Sequence, residues 1–227
     1  MRLGETFEET YERLKNVLEI LYDNEITSII LGGSHDLDYG QYSAAEICDK
    51  MINFGSIDSK IDFSPDLDGI PKDQSHLHKI LVHEPNYLYN ISNIAYQSYL
   101  VEKDLIDLID KMYFEGIRLG AIHEDIKEIE PFVRHLDMLS FDISAIRAQD
   151  AMGQVDPQAF GLSPEQACQL TWYAGHSYLI KSFGIYGYQP KADQQALTSK
   201  IISTMVWYFV EGFKQRRRIG SFDSNEY

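Results

Sequence analysis

Ile30-Leu31-Gly32-Gly33-Ser34-His35-Asp36 and its partner stretch Ile57-Asp58-Ser59-Lys60-Ile61-Asp62 share one pattern, an apolar run that stops abruptly in ionisable residues. Residues 27–31 predict a short buried strand, after which Gly32-Gly33 turns the backbone and presents His35. Residues 54–57 predict a second strand that delivers Asp58, Lys60 and Asp62. Met138-Leu139-Ser140-Phe141-Asp142-Ile143-Ser144 repeats the pattern, a strand ending in a carboxylate. In a parallel sheet the carboxyl ends of the strands share one edge, and ligand sites form in the crevice there. His35, Asp58, Asp62 and Asp142 are therefore expected to converge although they are far apart in the chain.

Outward from these stretches, strands alternate with helices. Phe7, Leu14, Val17, Leu18 and Leu21 mark an amphipathic helix over 5–22. A helix is expected over 41–51, a Pro- and Asp-rich loop over 62–75, a short helix through 77–81 and a strand over 87–95. Leu105, Ile106, Ile109 and Met112 predict a helix over 102–115, followed by a strand at 116–120. An acidic helix over 125–134 carries Pro131, where a kink or an end is expected. Strand 138–142 gives way to a loop through Gly161. Ser163-Pro164-Glu165-Gln166 then opens a helix with Ser at the N-cap, Pro at N1 and a capping-box Gln. A strand at 182–186 and a long apolar helix over 197–214 complete the pattern. The expected fold is one three-layer αβα domain over 1–227 with a mainly parallel sheet.

Composition narrows the function. At 227 residues, 44% hydrophobic and 24% charged, the chain has the make-up of an ordinary globular domain. A net charge of -15 argues against a nucleic-acid partner, since phosphate binding needs clustered Lys and Arg. The one basic run, 214–218, is read as complementing the C-terminal dipole of the last helix. No apolar run reaches membrane-span length, and isolated Cys48 and Cys168 read as buried thiols of a reducing compartment, so a cytoplasmic protein is expected.

The motifs resemble a known family. Residues 32–36 resemble the Gly-Gly-Asp-His-Ser motif of the ureohydrolases (arginase, agmatinase, formimidoylglutamase), and residues 58–62 resemble their Asp-Ala-His-x-Asp motif. Residues 140–146 resemble Ser-Phe-Asp-Ile-Asp-Ala-Ile, and 161–167 match the helix start that follows. Residues 83–87 and 207–209 are most similar to the bacterial formimidoylglutamase branch. The resemblance implies an arginase-like fold, a small amidine or guanidine substrate, and a binuclear manganese site that activates a bridging water; strand 27–31, left near an exposed edge, favours a homo-oligomer. Its first metal would use His35, Asp58, Asp62 and Asp142, all present.

The private ligands of the second metal fall on Lys60 and Ser144, and neither replaces an imidazole or a carboxylate. One Mn2+ is therefore expected, with Lys60 as a fixed counter-charge. The rival expectation is no metal, with Lys60 and Arg147 neutralising the acids. Arg147 stands where the family has Asp, and Gln158 falls near its substrate-contacting Glu, so both are expected to face substrate. Nothing before Thr27 resembles the family's first βαβ region. Two functions remain open: hydrolysis of linear amidines or guanidines at an altered site, or non-catalytic binding of a small ligand or partner in the same cleft. His76 and His78 are read as exposed positions on a helix turn.

Overall fold

The computed structural model describes residues 4–63 and 76–219. Six strands form one sheet in the order β1-β6-β5-β2-β3-β4. The strands are β1 (Ser28–Leu31), β2 (Ile52–Ile57), β3 (Leu88–Tyr96), β4 (Glu115–Arg118), β5 (Met138–Asp142) and β6 (Ser182–Tyr186), and every pairing is parallel. The α/β architecture expected from the alternating pattern is the one observed.

Two apolar clusters cover the two faces. Period-two alternation sends Leu139, Phe141, Phe183 and Ile185 to one face, and Phe54, Met138 and Tyr186 to the other. The first face packs on α7 (Pro164–Gly175) and α8 (Leu197–Ile219), the second on α1 (Phe7–Asp23) and α2 (Asp38–Ser43). Residues of β5 and β6 are buried on both sides, as central parallel strands require. β1 is an edge strand, and its Leu31 is 60% exposed.

Several boundaries differ from the sequence reading, each for a local reason. The helix expected over 41–51 begins as a 3-10 turn at His35, runs through α2, and ends in a 3-10 turn at Cys48, where Asp49 turns left-handed at φ 46°. Its buried residues include Asp38, Gln41 and Ser43, so apolar periodicity does not mark it. The strand at 116–120 stops at Arg118, and a short helix α5 (Leu119–Glu124) follows. The acidic segment divides: a 3-10 turn over 126–129 precedes α6 (Glu130–Arg134), with Pro131 in its first turn, where a missing N–H costs nothing. The expected capping box at Ser163 is present, with both hydrogen bonds made. The short helix through 77–81 is α3 (His76–Leu81), and α4 (Lys103–Lys111) is shorter than its apolar pattern. The loop expected over 62–75 lies, from residue 64 onward, outside the described residues.

The last helix continues to Ile219, so the basic run belongs to its final turns. Arg216 lies over the Phe213 ring at 3.7 Å and donates to the Ser177 carbonyl just past α7. Cys168 is buried, whereas Cys48 is only half-buried. No described helix is long and apolar enough to cross a membrane.

α7 and α8 touch backbone to backbone because glycines face each other. A Cβ on Gly175 would lie 2.3 Å from the Phe209 carbonyl oxygen, and one on Gly212 would lie 2.4 Å from that of Trp172. Gly212→Ala is expected to lower unfolding stability by about 1–3 kcal/mol in urea melts, the usual cost of overpacking. Gly120→Ala in α5, where an added Cβ meets nothing within 4 Å, should be neutral or stabilising by about 0.4–1 kcal/mol.

Candidate metal centre

The carboxyl ends of β1, β6, β5 and β2 lie side by side, and the site sits across them. Gly32 and Gly33 at φ 93° and 94° turn the chain after β1, a conformation side chains resist, and they swing His35 over the sheet edge. Asp58 follows β2 directly, and Asp142 closes β5. Gly187, at φ 73° just past β6, leaves room for Asp142: a Cβ there would lie 2.6 Å from its Oδ2. Tyr186 stacks on the His35 ring at 5.7 Å, and its hydroxyl donates to buried Gln41.

The predicted residues do converge. His35 Nδ1 lies 3.1 Å from Asp58 Oδ2 and 3.5 Å from both Asp62 Oδ2 and Asp142 Oδ2. Ser144 donates to Asp58 Oδ1 at 2.8 Å, its backbone N–H donates to Asp142 Oδ1 at 2.7 Å, and Ser59 Oγ lies 3.1 Å from Ser144 Oγ. Above them opens a cleft lined by Ser34, Lys60, Asp62, Val155, Asp156 and Gly187 among others.

Two residues join the cluster that the sequence reading set aside or passed over. His76 is fully buried rather than exposed on a helix turn, because the first turn of α3 packs into the cluster. Its Nε2 lies 3.2 Å from Asp62 Oδ2 and its Nδ1 lies 2.8 Å from Asp38 Oδ2. Asp38, also fully buried, receives a hydrogen bond from Ser140 Oγ at 3.3 Å, and Ser140 Oγ lies 2.8 Å from His35 Nε2. Two acids, Asp36 and Asp38, follow the first strand with no mark of which carboxylate turns to the cluster, and no spacing rule links residue 76 to this edge.

Three expected roles fall elsewhere. Lys60 stands in the cleft wall, but its ammonium is hydrogen-bonded to Asp156 rather than to a cluster carboxylate. Arg147 is turned to Asp150, its neighbour three residues on. Gln158 donates to the Asp156 carbonyl, and neither Gln158 nor Arg147 is among the residues lining the cleft.

The charges explain how the cluster persists. Burial works against a charged His35, but hydrogen bonds to Asp58 and Asp62 and the nearby Asp142 and Asp38 outweigh it, holding the imidazole protonated well above its ordinary range. Burial likewise opposes charge on His76, yet Asp38 chiefly lifts it to about 9. Burial, then Asp62 and Asp142, push Asp58 up to about 7. Burial would raise Asp62 too, but hydrogen bonds from His35 and His76 hold it well below the usual carboxylate range. Burial raises Asp142. Without a bound cation, the protons of two imidazoles offset part of the charge of the four clustered acids. A metal ion at such a site takes the place of those protons.

The donor set fits a divalent ion at the cleft floor. One imidazole nitrogen faces three carboxylates, hard donors of the kind manganese takes, and His35, Asp58 and Asp142 bring ligand atoms within 4.8 Å of one another.

Comparison with known proteins defines the class. The Arginase family model matches residues 3–211, and the chain belongs to the arginase family. A formimidoylglutamase of Lysinibacillus sphaericus is 26% identical over 220 residues, covering 90% of this chain and 66% of that protein. One of Geobacillus kaustophilus is 27% identical over 173 residues, covering 73% of this chain and 53% of that protein. The matched stretch thus spans between about half and two-thirds of these relatives. The crystal structure of Trypanosoma cruzi formiminoglutamase with Mn2+ aligns at a TM-score of 0.85 and 18% identity, over 94% of this chain and 74% of that one. Formimidoylglutamase from Bacillus subtilis aligns at 0.83 and 16%, over 94% of this chain and 70% of that one. These structures establish an arginase-type fold, with formimidoylglutamases as its neighbours.

Removal of the two cationic side chains should differ sharply in cost. His76→Ala strands buried Asp38 and is expected to cost about 3–5 kcal/mol in urea melts. Lys60→Met breaks a partly exposed pair with Asp156 and should cost less than about 1 kcal/mol. A loss of several kcal/mol for Lys60→Met would restore it as the cluster's counter-charge.

Proposed function

We propose that this chain is a manganese-dependent hydrolase of linear amidines, of the formimidoylglutamate type. The observation that carries the reading is His35 Nδ1 facing Asp58, Asp62 and Asp142 at 3.1–3.5 Å at the sheet's carboxyl edge. His35, Asp58, Asp62 and Asp142 would hold one Mn2+. When bound, such an ion supplies Lewis-acid polarisation and makes water a nucleophile near neutral pH. The reaction class adds water to the amidine carbon and breaks its C–N bond. The amine leaves with a proton from that water, and the carbon departs as formamide.

The residues around the ion have separate tasks. Ser144 and Ser59 tie down Asp58, leaving its Oδ2 turned to the His35 side. Gly187 keeps the Asp142 carboxylate in place by offering no side chain to displace it. Lys60 and Asp156 place one positive and one negative group on the cleft wall, where a zwitterionic substrate end has a partner for either charge. Ser144 and Lys60, standing where the family's second metal has its private ligands, limit the site to a single ion.

Two experiments test the reading. The protein with Mn2+ is expected to convert N-formimidoylglutamate to glutamate and formamide, and Asp58→Asn should fall to background; arginine and agmatine serve as competing candidates. Metal-loaded protein that turns over none of them would favour a binding role for the cleft. Replacing Lys60→His together with Ser144→Asp is expected to raise bound manganese from one ion per chain to two, read by elemental analysis. No gain in bound metal would contradict the single-ion explanation.

A further inference from the structure

His35 has two faces, and only one of them serves the site described above. Its Nε2 points away from the three carboxylates, toward Ser140, Asp38 and His76. His35, Asp38 and His76 bring one ligand atom each to within 4.8 Å of one another, and all three are buried. The His76 contact to Asp38 lies off the line of a hydrogen bond, so His76 Nδ1 and Asp38 Oδ1 are buried polar atoms without a hydrogen-bond partner among the described residues. Unpaired buried polar atoms are costly and point to something that satisfies them.

We infer that His35, Asp38 and His76 form a second, nitrogen-rich metal site for a zinc-class divalent ion, and that it cannot be filled together with the carboxylate-rich site. Two imidazoles and one carboxylate make a donor set that suits zinc, whereas one imidazole and three carboxylates suit manganese. The surroundings carry the mark of such a site. A histidine bound to metal through one nitrogen commonly donates its other N–H to a carboxylate, which fixes ring and tautomer. With Nε2 of His35 on the ion, its Nδ1–H is left facing Asp58 Oδ2 at 3.1 Å. With Nδ1 of His76 on the ion, its Nε2–H is left facing Asp62 Oδ2 at 3.2 Å. Both histidines thus have the outer carboxylate in place, and Ser140 Oγ stands beside His35 and Asp38 as a further oxygen.

Exclusion follows from the shared ring. A neutral imidazole has one lone-pair nitrogen and one N–H. His35 offers Nδ1 to the carboxylate-rich site or Nε2 to the nitrogen-rich one, never both. Zinc occupancy therefore takes a ligand from the manganese site and recasts two of its carboxylates as hydrogen-bond acceptors. The existence of the zinc site stands on geometry alone; its effect on activity rests on the manganese reading proposed above.

The test uses the full-length chain stripped of metal. Zinc binding is measured by competition with a chromophoric chelator, and manganese binding by the loss of the free Mn2+ paramagnetic resonance signal. The wild type is expected to bind one zinc, and zinc-loaded protein should no longer take up Mn2+. Asp38→Asn and His76→Gln should each weaken zinc by about 100-fold or more, since losing a ligand exceeds the cost of losing an outer partner. Asp38→Asn should still bind Mn2+, and Asp142→Asn should do the reverse, keeping zinc and losing Mn2+. X-ray absorption of the wild type loaded with zinc should show two imidazoles, a readout that needs no variant to fold. Zinc affinity unchanged in both Asp38→Asn and His76→Gln, or zinc and manganese bound at once, would overturn the inference. Failure to bind Mn2+ in any form would instead overturn the hydrolase reading and leave the zinc result to stand.

Discussion

The crowding of carboxylates around one buried imidazole is the interaction on which this structure turns. Asp38, Asp58 and Asp62 are almost wholly removed from water, and Asp142 is nearly so. Desolvating a carboxylate costs several kcal/mol, so the group persists only with positive charge packed against it. His35 and His76 provide that charge at close range, while Lys60 is engaged by Asp156 at the cleft wall. The rest of the fold answers to this arrangement. Apolar residues on both faces of β5 and β6 pack these strands from both sides, and glycines at 32, 33 and 187 allow the approach that brings imidazole and carboxylate together.

Strands that end in chemistry were legible in the chain because two signals coincide there. An apolar run marks the strand, and ionised residues directly after it have no packing role. That logic located His35, Asp58 and Asp142, and a parallel sheet brings their strand ends to one edge. It failed for Asp38 and His76. Asp38 lies in a helix whose buried side chains include several polar ones, so period 3.6 is invisible in hydrophobicity. His76 begins a short helix whose approach to the site depends on tertiary packing. Arg147 and Gln158 were placed by motif alignment, which conveys position along the chain but not the direction of a side chain; local partners, Asp150 and the Asp156 backbone, hold them. Six-residue α5 was lost because it follows a strand without a break and is too short to show a period.

Differences from the family pattern make chemical sense as a set. In the proposed reading, Lys60 and Ser144 stand on one side of the cluster where the motif resemblance expects an imidazole and a carboxylate. Asp38 and His76 place a carboxylate and an imidazole on the other side, behind His35. On this account the tautomer of His35 decides which side an ion occupies. On the proposed reading the site offers two donor sets with different metal preferences, on a fold shared with formimidoylglutamases.

The proposed function requires a single manganese ion among His35, Asp58, Asp62 and Asp142. Anomalous diffraction at the manganese edge from crystals grown with Mn2+ tests it most directly. The account predicts one anomalous peak per chain, within bonding distance of His35 Nδ1 and the three carboxylates. Two adjacent peaks bridged by Asp58 and Asp142, or no peak at this edge of the sheet, would contradict it.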